Sequence, residues 1–180
     1  MKHYQFILIS ILVVVFTTDT FGQQQSPKEK KAFGAATFQL SSLAGKSAME
    51  TGGYGAAYLS PNWYLGGGGY GLDSKVDGTE YGLGYGGLLV GYTNKISNRT
   101  NYHINSLFGY GGVTEMTSDL IESVDGLWII KPSIEIEFRV SKNLGIGLKG
   151  GYRFGIDSDI PLGNHSISQP FGGLVIHFGS

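Results

Sequence analysis

Ionisable side chains recur at alternate positions in the second half of the chain, where they could meet on one side of a sheet. Two stretches carry most of them, residues 127–140 (LWIIKPSIEIEFRV) and residues 144–156 (LGIGLKGGYRFGI). A histidine, His103, lies in the predicted strand before them. Carboxylates, ammonium groups and imidazoles so placed can form ion pairs, conduct ions, or hold a ligand or reacting group. The set comprises His103, Lys131, Glu135, Glu137, Arg139, Lys149 and Arg153.

The simplest role for this set is structural. If the two stretches are neighbouring strands, Glu135 and Glu137 can pair with Lys149 and Arg153. Buried charges need such partners, because an uncompensated charge away from water is very costly. We therefore predict an ion-paired network that fills the interior. A gated ion path and a buried ligand or catalytic site remain the alternatives.

Two glycine motifs imitate a nucleotide site. Residues 66–71 and 82–87 both match G-x-G-x-x-G, but that chemistry requires a strand, a turn and a helix N-terminus. Both runs lie inside predicted strands, where glycines are better explained by tyrosines packed against small residues. Gly45-Lys46-Ser47 resembles the end of a phosphate loop, yet Leu40 occupies the position of its first glycine. We expect no cofactor.

Catalysis is also not supported. Lipid-cleaving barrels of the outer membrane present a histidine and a serine two residues apart on one strand face, for base-assisted attack. The residues two positions after His103, His165 and His177 are not serines; they are Asn105, Ile167 and Gly179. We predict that the protein is not an enzyme and propose no catalytic residues.

Acidic residues are frequent in the segments expected to be loops. They are Glu115, Asp119, Glu122, Asp125, Asp157 and Asp159. Solvated loops explain them, although a Ca²⁺ site of several oxygen ligands is the alternative. The spacing of histidines predicts no transition-metal site, and cysteine is absent from the sequence.

Alternation predicts the elements that carry these residues. In residues 127–140 the apolar Trp128, Ile130, Ile134, Ile136 and Phe138 share one face, and the ionic residues share the other. The same criteria predict eight strands and no helix. The predicted strands are Phe33–Ser41, Gly52–Leu59, Trp63–Leu72, Glu80–Tyr92, Thr100–Val113, Leu127–Val140, Leu144–Ile156 and Gln169–Gly179.

The amino-acid composition indicates which face of the strands contacts lipid and which face points to the interior. Charged residues make up 15% of the chain, against about 25% in soluble domains. Residues 81–94, 100–114 and 160–180 have no formal charge. A Lys or Arg facing mid-bilayer lipid costs about 2–4 kcal/mol, so the ionic face must point inward. The apolar face then contacts lipid.

The N-terminus has the plan of a secretory signal. Lys2 and His3 precede an apolar run from Phe6 to Phe16, too short to span a bilayer as a helix, and a small-residue site ends at Gly22. We predict a signal peptide at residues 1–22, a polar leader at 23–32 and a barrel domain at 33–180. The net charge of −1 argues against a nucleic-acid partner.

The predicted links alternate in length. Short turns fall at residues 60–62, 97–98 and 141–143, and longer links at 43–51, 73–79, 114–126 and 157–168. This alternation is typical of a transmembrane barrel with turns in the periplasm and loops outside. Pro132, which lacks a backbone donor, predicts a bulge.

On these grounds the chain resembles the small eight-stranded outer-membrane barrels of the OmpA and OmpX kind. The runs GGYGAAYLSPNWYLGGGGYGL and YGLGYGGLLVGY are similar to those of glycine-rich bacterial barrel proteins. The resemblance implies an all-β up-and-down transmembrane barrel in the bacterial outer membrane. Its expected partners are membrane lipid, the barrel assembly machinery and a binding partner at the external loops. One departure is that Phe178 is followed by two more residues, where such barrels commonly end on an aromatic.

The resemblance further implies a monomer with a packed polar interior and a structural or surface-interaction role. Two alternatives stay open. One is a soluble secreted barrel that binds an apolar small ligand inside, and the other is a narrow outer-membrane channel.

Overall fold

The chain folds into a closed eight-stranded antiparallel β-barrel. The computed structural model describes residues 32–43, 45–76, 79–117, 120–156 and 167–179, and describes side chains in all of these except 73–80 and 115–125. Each strand pairs with the next, and β1 pairs with β8 to close the sheet. The strands are β1 Ala32–Leu43, β2 Lys46–Tyr58, β3 Trp63–Val76, β4 Thr79–Lys95, β5 Thr100–Thr117, β6 Leu120–Arg139, β7 Leu144–Ile156 and β8 Gln169–Phe178.

This architecture confirms the predicted fold class. No helix in the described ranges is long and apolar enough to cross a membrane. The predicted signal peptide and all but the last residue of the polar leader, residue 32, lie outside the described residues.

The two faces of β6 point as the alternation predicts. Ile134 and Ile136 are 61% and 53% exposed on the outside, whereas Glu135 between them is 0% exposed inside the lumen. Strands β5 and β7 follow the same rule, with Phe108 and Leu148 outward. The barrel therefore presents apolar side chains outward and encloses polar ones.

Three tight turns lie at one end of the barrel, together with the first described residue of β1 and the last of β8. We call this the lower end. Residues 59–62, 96–99 and 140–143 form the turns, and the second residue of each is a serine whose hydroxyl accepts a backbone N–H. The donors are Trp63 to Ser60 (3.1 Å), Arg99 to Ser97 (3.3 Å) and Asn143 to Ser141 (3.3 Å). Serine is a common turn residue for this reason.

The opposite, upper end differs from the prediction. Long links were expected at residues 43–51, 73–79 and 114–126, but β2 starts at Lys46, β3 ends at Val76, and the β5 and β6 strands reach Thr117 and Leu120. Only residues 44–45, 77–78 and 118–119 separate these strand pairs. The prediction was wrong because backbone pairing continues beyond the apolar stretch, whatever the polarity of the side chains. Residues 157–166 of the fourth link lie outside the described part.

The bulge predicted at Pro132 is also wrong. The β6–β7 register is the same on both sides of it, with Ile130 opposite Phe154 and Ser133 opposite Gly151. Pairing with β7 is interrupted at residues 131 and 132, with no residue inserted. The proline thus removes ladder contacts locally, whereas a register shift occurs between Glu115 and Met116 in the β5–β6 pair.

Glycines make room for aromatic rings in the lumen. The ring of Tyr64 occupies the space that a Cβ at Gly91 would need, whereas a Cβ at Gly111 would collide with the Gly84 carbonyl and with the Cα and Cβ of Tyr85. Tyr64 and Tyr85 are buried, with at most 5% of their surface exposed. This packing accounts for the glycine-rich strands without a nucleotide site.

Candidate functional site: the charged lumen

Buried ionisable residues gather in two groups inside the barrel. The upper cluster consists of Glu50, Lys131 and Arg153, from β2, β6 and β7. The lower cluster consists of His103, Glu135, Glu137, Lys149 and His177, which lie nearer the lower end. Every member of both clusters is at most 4% exposed.

Glu50 is the centre of the upper cluster. One carboxylate oxygen pairs with the Lys131 ammonium and the other with the Arg153 guanidinium. Lys131 also donates to Gln39 Oε1 at 2.9 Å and lies 3.6 Å from the centroid of the Tyr70 ring. One carboxylate therefore compensates two buried cations, and an aromatic face further stabilises one of them.

Arg153 connects distant parts of the wall. Its Nε donates to the Ile167 carbonyl at 3.0 Å, and its Nη2 donates to the Ser42 carbonyl at 2.9 Å. Together with Glu50, these bonds join β7 to β1, β2 and the segment before β8. The planar five-donor guanidinium suits such a role better than an ammonium would.

In the lower cluster each carboxylate faces an imidazole. Glu135 pairs with His177 Nε2 and accepts a hydrogen bond from the Tyr54 hydroxyl at 3.0 Å. Glu137 Oε2 lies 3.2 Å from His103 Nε2 and accepts from Asn101 Nδ2 at 2.7 Å. The two imidazole rings are stacked, with centroids 5.1 Å apart and an interplanar angle of 21°.

Four atoms of the lower cluster lack a hydrogen-bond partner within the described part of the chain. They are Lys149 Nζ, Glu137 Oε1, His103 Nδ1 and His177 Nδ1. Lys149 is 3.9 Å from Glu135 Oε2 and lies 4.5 Å from the centroid of the Tyr54 ring. The lower cluster is thus less completely paired than the upper one.

The predicted ion pairs are only partly present. Glu135 and Lys149 are opposite each other in the β6–β7 register, as expected. Arg153, however, pairs with Glu50, and Glu137 has Gly147 opposite it on β7. The prediction considered only adjacent strands, but in a narrow barrel long side chains reach across the lumen.

Arg139 belongs to neither cluster. It is partly buried near the lower end, and its Nε has no hydrogen-bond partner among the described residues. Of the predicted set, the structure therefore brings Glu135, Glu137, Lys149 and His103 together and places Lys131 with Arg153.

Sequence reasoning missed Glu50 and His177. Glu50 falls in a predicted loop, although it shares its alternate positions with the inward Ala48 and Tyr54. His177 lies between the outward-facing Ile176 and Phe178, so alternation alone already places it in the lumen. His103 and His177 are far apart in the sequence, yet their rings stack in the lumen, because sequence distance does not measure distance across a barrel.

Comparisons with known proteins give the fold and no close relative. No family model matches the chain, and no curated protein matches it either. Neisserial surface protein A is 9% identical, with a TM-score of 0.69 over 86% of this chain and 100% of that one.

Two further solved barrels are similar. The N-terminal β-barrel domain of Pseudomonas aeruginosa OprF is 11% identical, with a TM-score of 0.57 over 82% of this chain and 96% of that one. Ail, the attachment invasion locus protein of Yersinia pestis, is 10% identical, with a TM-score of 0.53 over 82% of this chain and 95% of that one. The chain therefore has the fold of the small eight-stranded outer-membrane β-barrels.

Proposed function

We propose that the chain is an integral protein of the bacterial outer membrane with a structural or surface-interaction role at its upper end. One observation carries this proposal: apolar side chains cover the outside while ion pairs fill the lumen. Such a molecule is stable when lipid surrounds it, because its apolar outer face then contacts acyl chains. In water the same face would expose a large apolar area, which is unfavourable.

The orientation in the membrane follows from the ends of the barrel. The lower end has the tight turns and both ends of the barrel chain, which suits a periplasmic location for a secreted protein. Its turns hold no acidic residue and carry the exposed Arg99 and Lys142. We place this end in the periplasm, where basic groups are attracted to anionic phospholipid headgroups.

The upper end is then the surface available to other molecules. Acidic residues outnumber basic ones in the sequence of this end, where the upper parts of β2–β6 contain Asp73, Glu80, Glu115, Glu122 and Asp125, besides the buried Glu50, against Lys46 and Lys75. The names of two similar barrels, a surface protein and an attachment protein, support a role in surface contact. We expect the partner of this end to be cationic.

The alternatives receive less support. A soluble barrel that binds an apolar ligand needs an apolar interior, but this lumen contains Glu50, Glu135 and Arg153. A narrow channel needs an open path, whereas an eight-stranded barrel is just wide enough for side chains to fill. We propose no enzymatic activity, and we expect a monomer inserted by the barrel assembly machinery.

Cysteine labelling on intact cells tests the orientation. The chain has no cysteine, so Ser47→Cys at the upper end and Lys142→Cys at the lower end each introduce a single thiol at an exposed position. A membrane-impermeant maleimide should label the Ser47→Cys protein in intact cells and the Lys142→Cys protein only after the outer membrane is permeabilised. The reverse pattern would refute the proposed orientation, and recovery of the protein in the soluble periplasm would refute the membrane location.

A further inference from the structure

Three groups that commonly bind metals converge in the lower cluster. His103 on β5, Glu135 on β6 and His177 on β8 each direct a ligand atom to one place, and these atoms lie within 4.8 Å of one another. All three residues are at most 2% exposed. The register places His103 directly opposite Glu135, so the backbone itself fixes two of the three ligands.

The chemistry of the three groups is that of a transition-metal site. Two imidazole nitrogens and one carboxylate oxygen are a ligand set found for Zn²⁺, which binds nitrogen and oxygen at about 2.0–2.2 Å. In tetrahedral geometry two ligand atoms of one zinc ion lie about 3.4 Å apart. The atoms here lie within 4.8 Å of one another, so binding requires the side chains to move toward a common centre by rotation.

Glu137 offers a further carboxylate beside His103, although it is not one of the three residues whose ligand atoms lie within 4.8 Å of one another. Glu137 Oε2 lies 3.2 Å from His103 Nε2, while its Oε1 is buried without a hydrogen-bond partner among the described atoms. A buried carboxylate oxygen without a partner is costly, and a bound cation would satisfy it. The Tyr54 hydroxyl donates to Glu135 Oε2, whereas Glu135 Oε1 faces His177 Nε2, so a bound ion would take the place of that direct contact between two of its ligands.

We propose that His103, Glu135 and His177, with Glu137 as fourth ligand, bind a late first-row divalent metal ion such as Zn²⁺. The imidazoles favour Zn²⁺, Ni²⁺ or Cu²⁺ over Ca²⁺ or Mg²⁺, which prefer oxygen ligands. The ion would link β5, β6 and β8 across the lumen. It would enter from the lower end, because His103 is the fourth residue of β5 and His177 is the residue before the last of β8, both near that end.

Lys149 lies beside the proposed site, and its positive charge disfavours the binding of a metal cation there. Its ammonium lies 3.9 Å from Glu135 Oε2, so it repels an incoming dication. Neither histidine has a partner for its Nδ1 among the described groups, although such partners usually strengthen a metal site by about 10–100-fold. The site should therefore be weak in the natural chain and should strengthen when the Lys149 charge is removed.

Metal titration of the folded protein tests the proposal. The full mature chain, folded in detergent and stripped with EDTA, would be titrated with Zn²⁺ against a chromogenic chelator and with Co²⁺ by absorption spectroscopy. We expect one ion per chain, with no comparable binding of Mg²⁺. His103→Gln and His177→Gln should each weaken Zn²⁺ binding by at least about 100-fold, since loss of an outer partner alone costs about 10–100-fold.

Two further variants distinguish Zn²⁺ binding at the lower cluster from Zn²⁺ binding elsewhere on the chain. His165→Gln removes a histidine that is not one of the proposed ligands and should leave Zn²⁺ affinity unchanged. Lys149→Met should tighten Zn²⁺ binding by about tenfold or more, because it removes a like charge from a low-dielectric site. This gain cannot come from unfolding, so it keeps the proposal testable even if a glutamine variant fails to fold.

The proposal is overturned if the folded natural chain and Lys149→Met both fail to bind Zn²⁺ at millimolar concentration. It is also overturned if the folded His103→Gln and His177→Gln variants bind as tightly as the natural chain. Folding of each variant is checked by the mobility of unheated samples in detergent gels. None of these results depends on the surface role proposed above.

Discussion

At the scale of single residues, the barrel solves the problem of burying charge by pairing it. Removing an ion from water costs several kcal/mol, and a partner at good geometry offsets this cost. Glu50 accepts both Lys131 and Arg153, and Glu135 faces His177 and Lys149. The most consequential group is therefore Glu50, because two cations depend on it.

Replacing Glu50 by glutamine should strongly destabilise the barrel. The substitution keeps the shape but leaves Lys131 and Arg153 without their anion, and breaking a buried pair costs about 3–5 kcal/mol. Urea unfolding in detergent micelles, followed by tryptophan fluorescence, measures the loss. The double variant Glu50→Gln, Lys131→Met should recover part of the stability. Equal stability of Glu50→Gln and the natural chain would show that the upper cluster does not hold the lumen together.

Arginine substitutions on β6 test whether its outward side chains lie in lipid and how deep in the membrane each one is. Ile134 lies between the outward Trp128 and Phe138, six residues from the first and four from the second, whereas Val140 lies beyond the lower end of the strand. Ile134→Arg should cost about 2–4 kcal/mol and Val140→Arg about 0–1 kcal/mol, because the penalty falls toward the interface. Unfolding titrations from lipid vesicles measure both. Equal costs at the two positions would contradict the assignment of this face to lipid.

At the scale of the strand, glycines on the two faces of β4 have different roles. A Cβ at Gly87 would collide with the Phe108 carbonyl and with Gly109 of β5, whereas a Cβ at the outward Gly84 would meet nothing within 4 Å. The two glycines belong to the same G-x-G-x-x-G run. This run therefore offers a matched pair of identical substitutions.

Gly87→Ala should destabilise the barrel by about 1–3 kcal/mol, the usual cost of overpacking. Gly84→Ala should change stability by no more than about 1 kcal/mol, and in the stabilising direction, because alanine restricts the unfolded chain. Urea midpoints of the two variants give the comparison. A Gly84→Ala variant that is less stable than Gly87→Ala would refute the close approach of β4 and β5.

Much of the strand architecture could be predicted from the sequence. Alternation on β5, β6 and β7 was strong because apolar residues occupy the outward positions and mostly polar, ionic or glycine residues occupy the inward ones, although Leu107, Leu127 and Ile129 also point inward. The faces and their orientation could therefore be predicted. The upper strand ends could not be predicted, because backbone pairing beyond the apolar band leaves no trace in hydropathy. The pairing of Arg153 with Glu50 was equally hidden, since it depends on the barrel radius and not on neighbouring strands.

At the scale of the whole molecule, the barrel is closed and its interior is occupied. β1 and β8 pair from Gly34 with Phe178 to Leu40 with Gly172, so no sheet edge remains open along that range. Aromatic side chains such as Tyr54 and Tyr64 fill the lumen together with the ion pairs. A closed wall and a filled interior together suit a membrane protein that is not a pore.

Planar bilayers containing the purified protein should show no stepwise conductance at moderate voltage. The two clusters place buried ion pairs at two levels of the lumen, and we expect that an ion would have to displace these pairs to pass. Single-channel recording makes the measurement, with a large porin as a positive control. Reproducible unitary steps from the purified protein would favour the channel alternative.

The orientation of the apolar face is tested most directly by spin labels on single cysteines. Labels at Ile134→Cys, Leu148→Cys and Leu174→Cys in lipid vesicles should collide often with oxygen, which concentrates in lipid, and rarely with a water-soluble nickel complex. A label at Lys142→Cys in a turn should show the opposite preference. If labels at the three strand positions collide with nickel and not with oxygen, the outward face does not contact lipid and the proposed membrane location of the barrel is wrong.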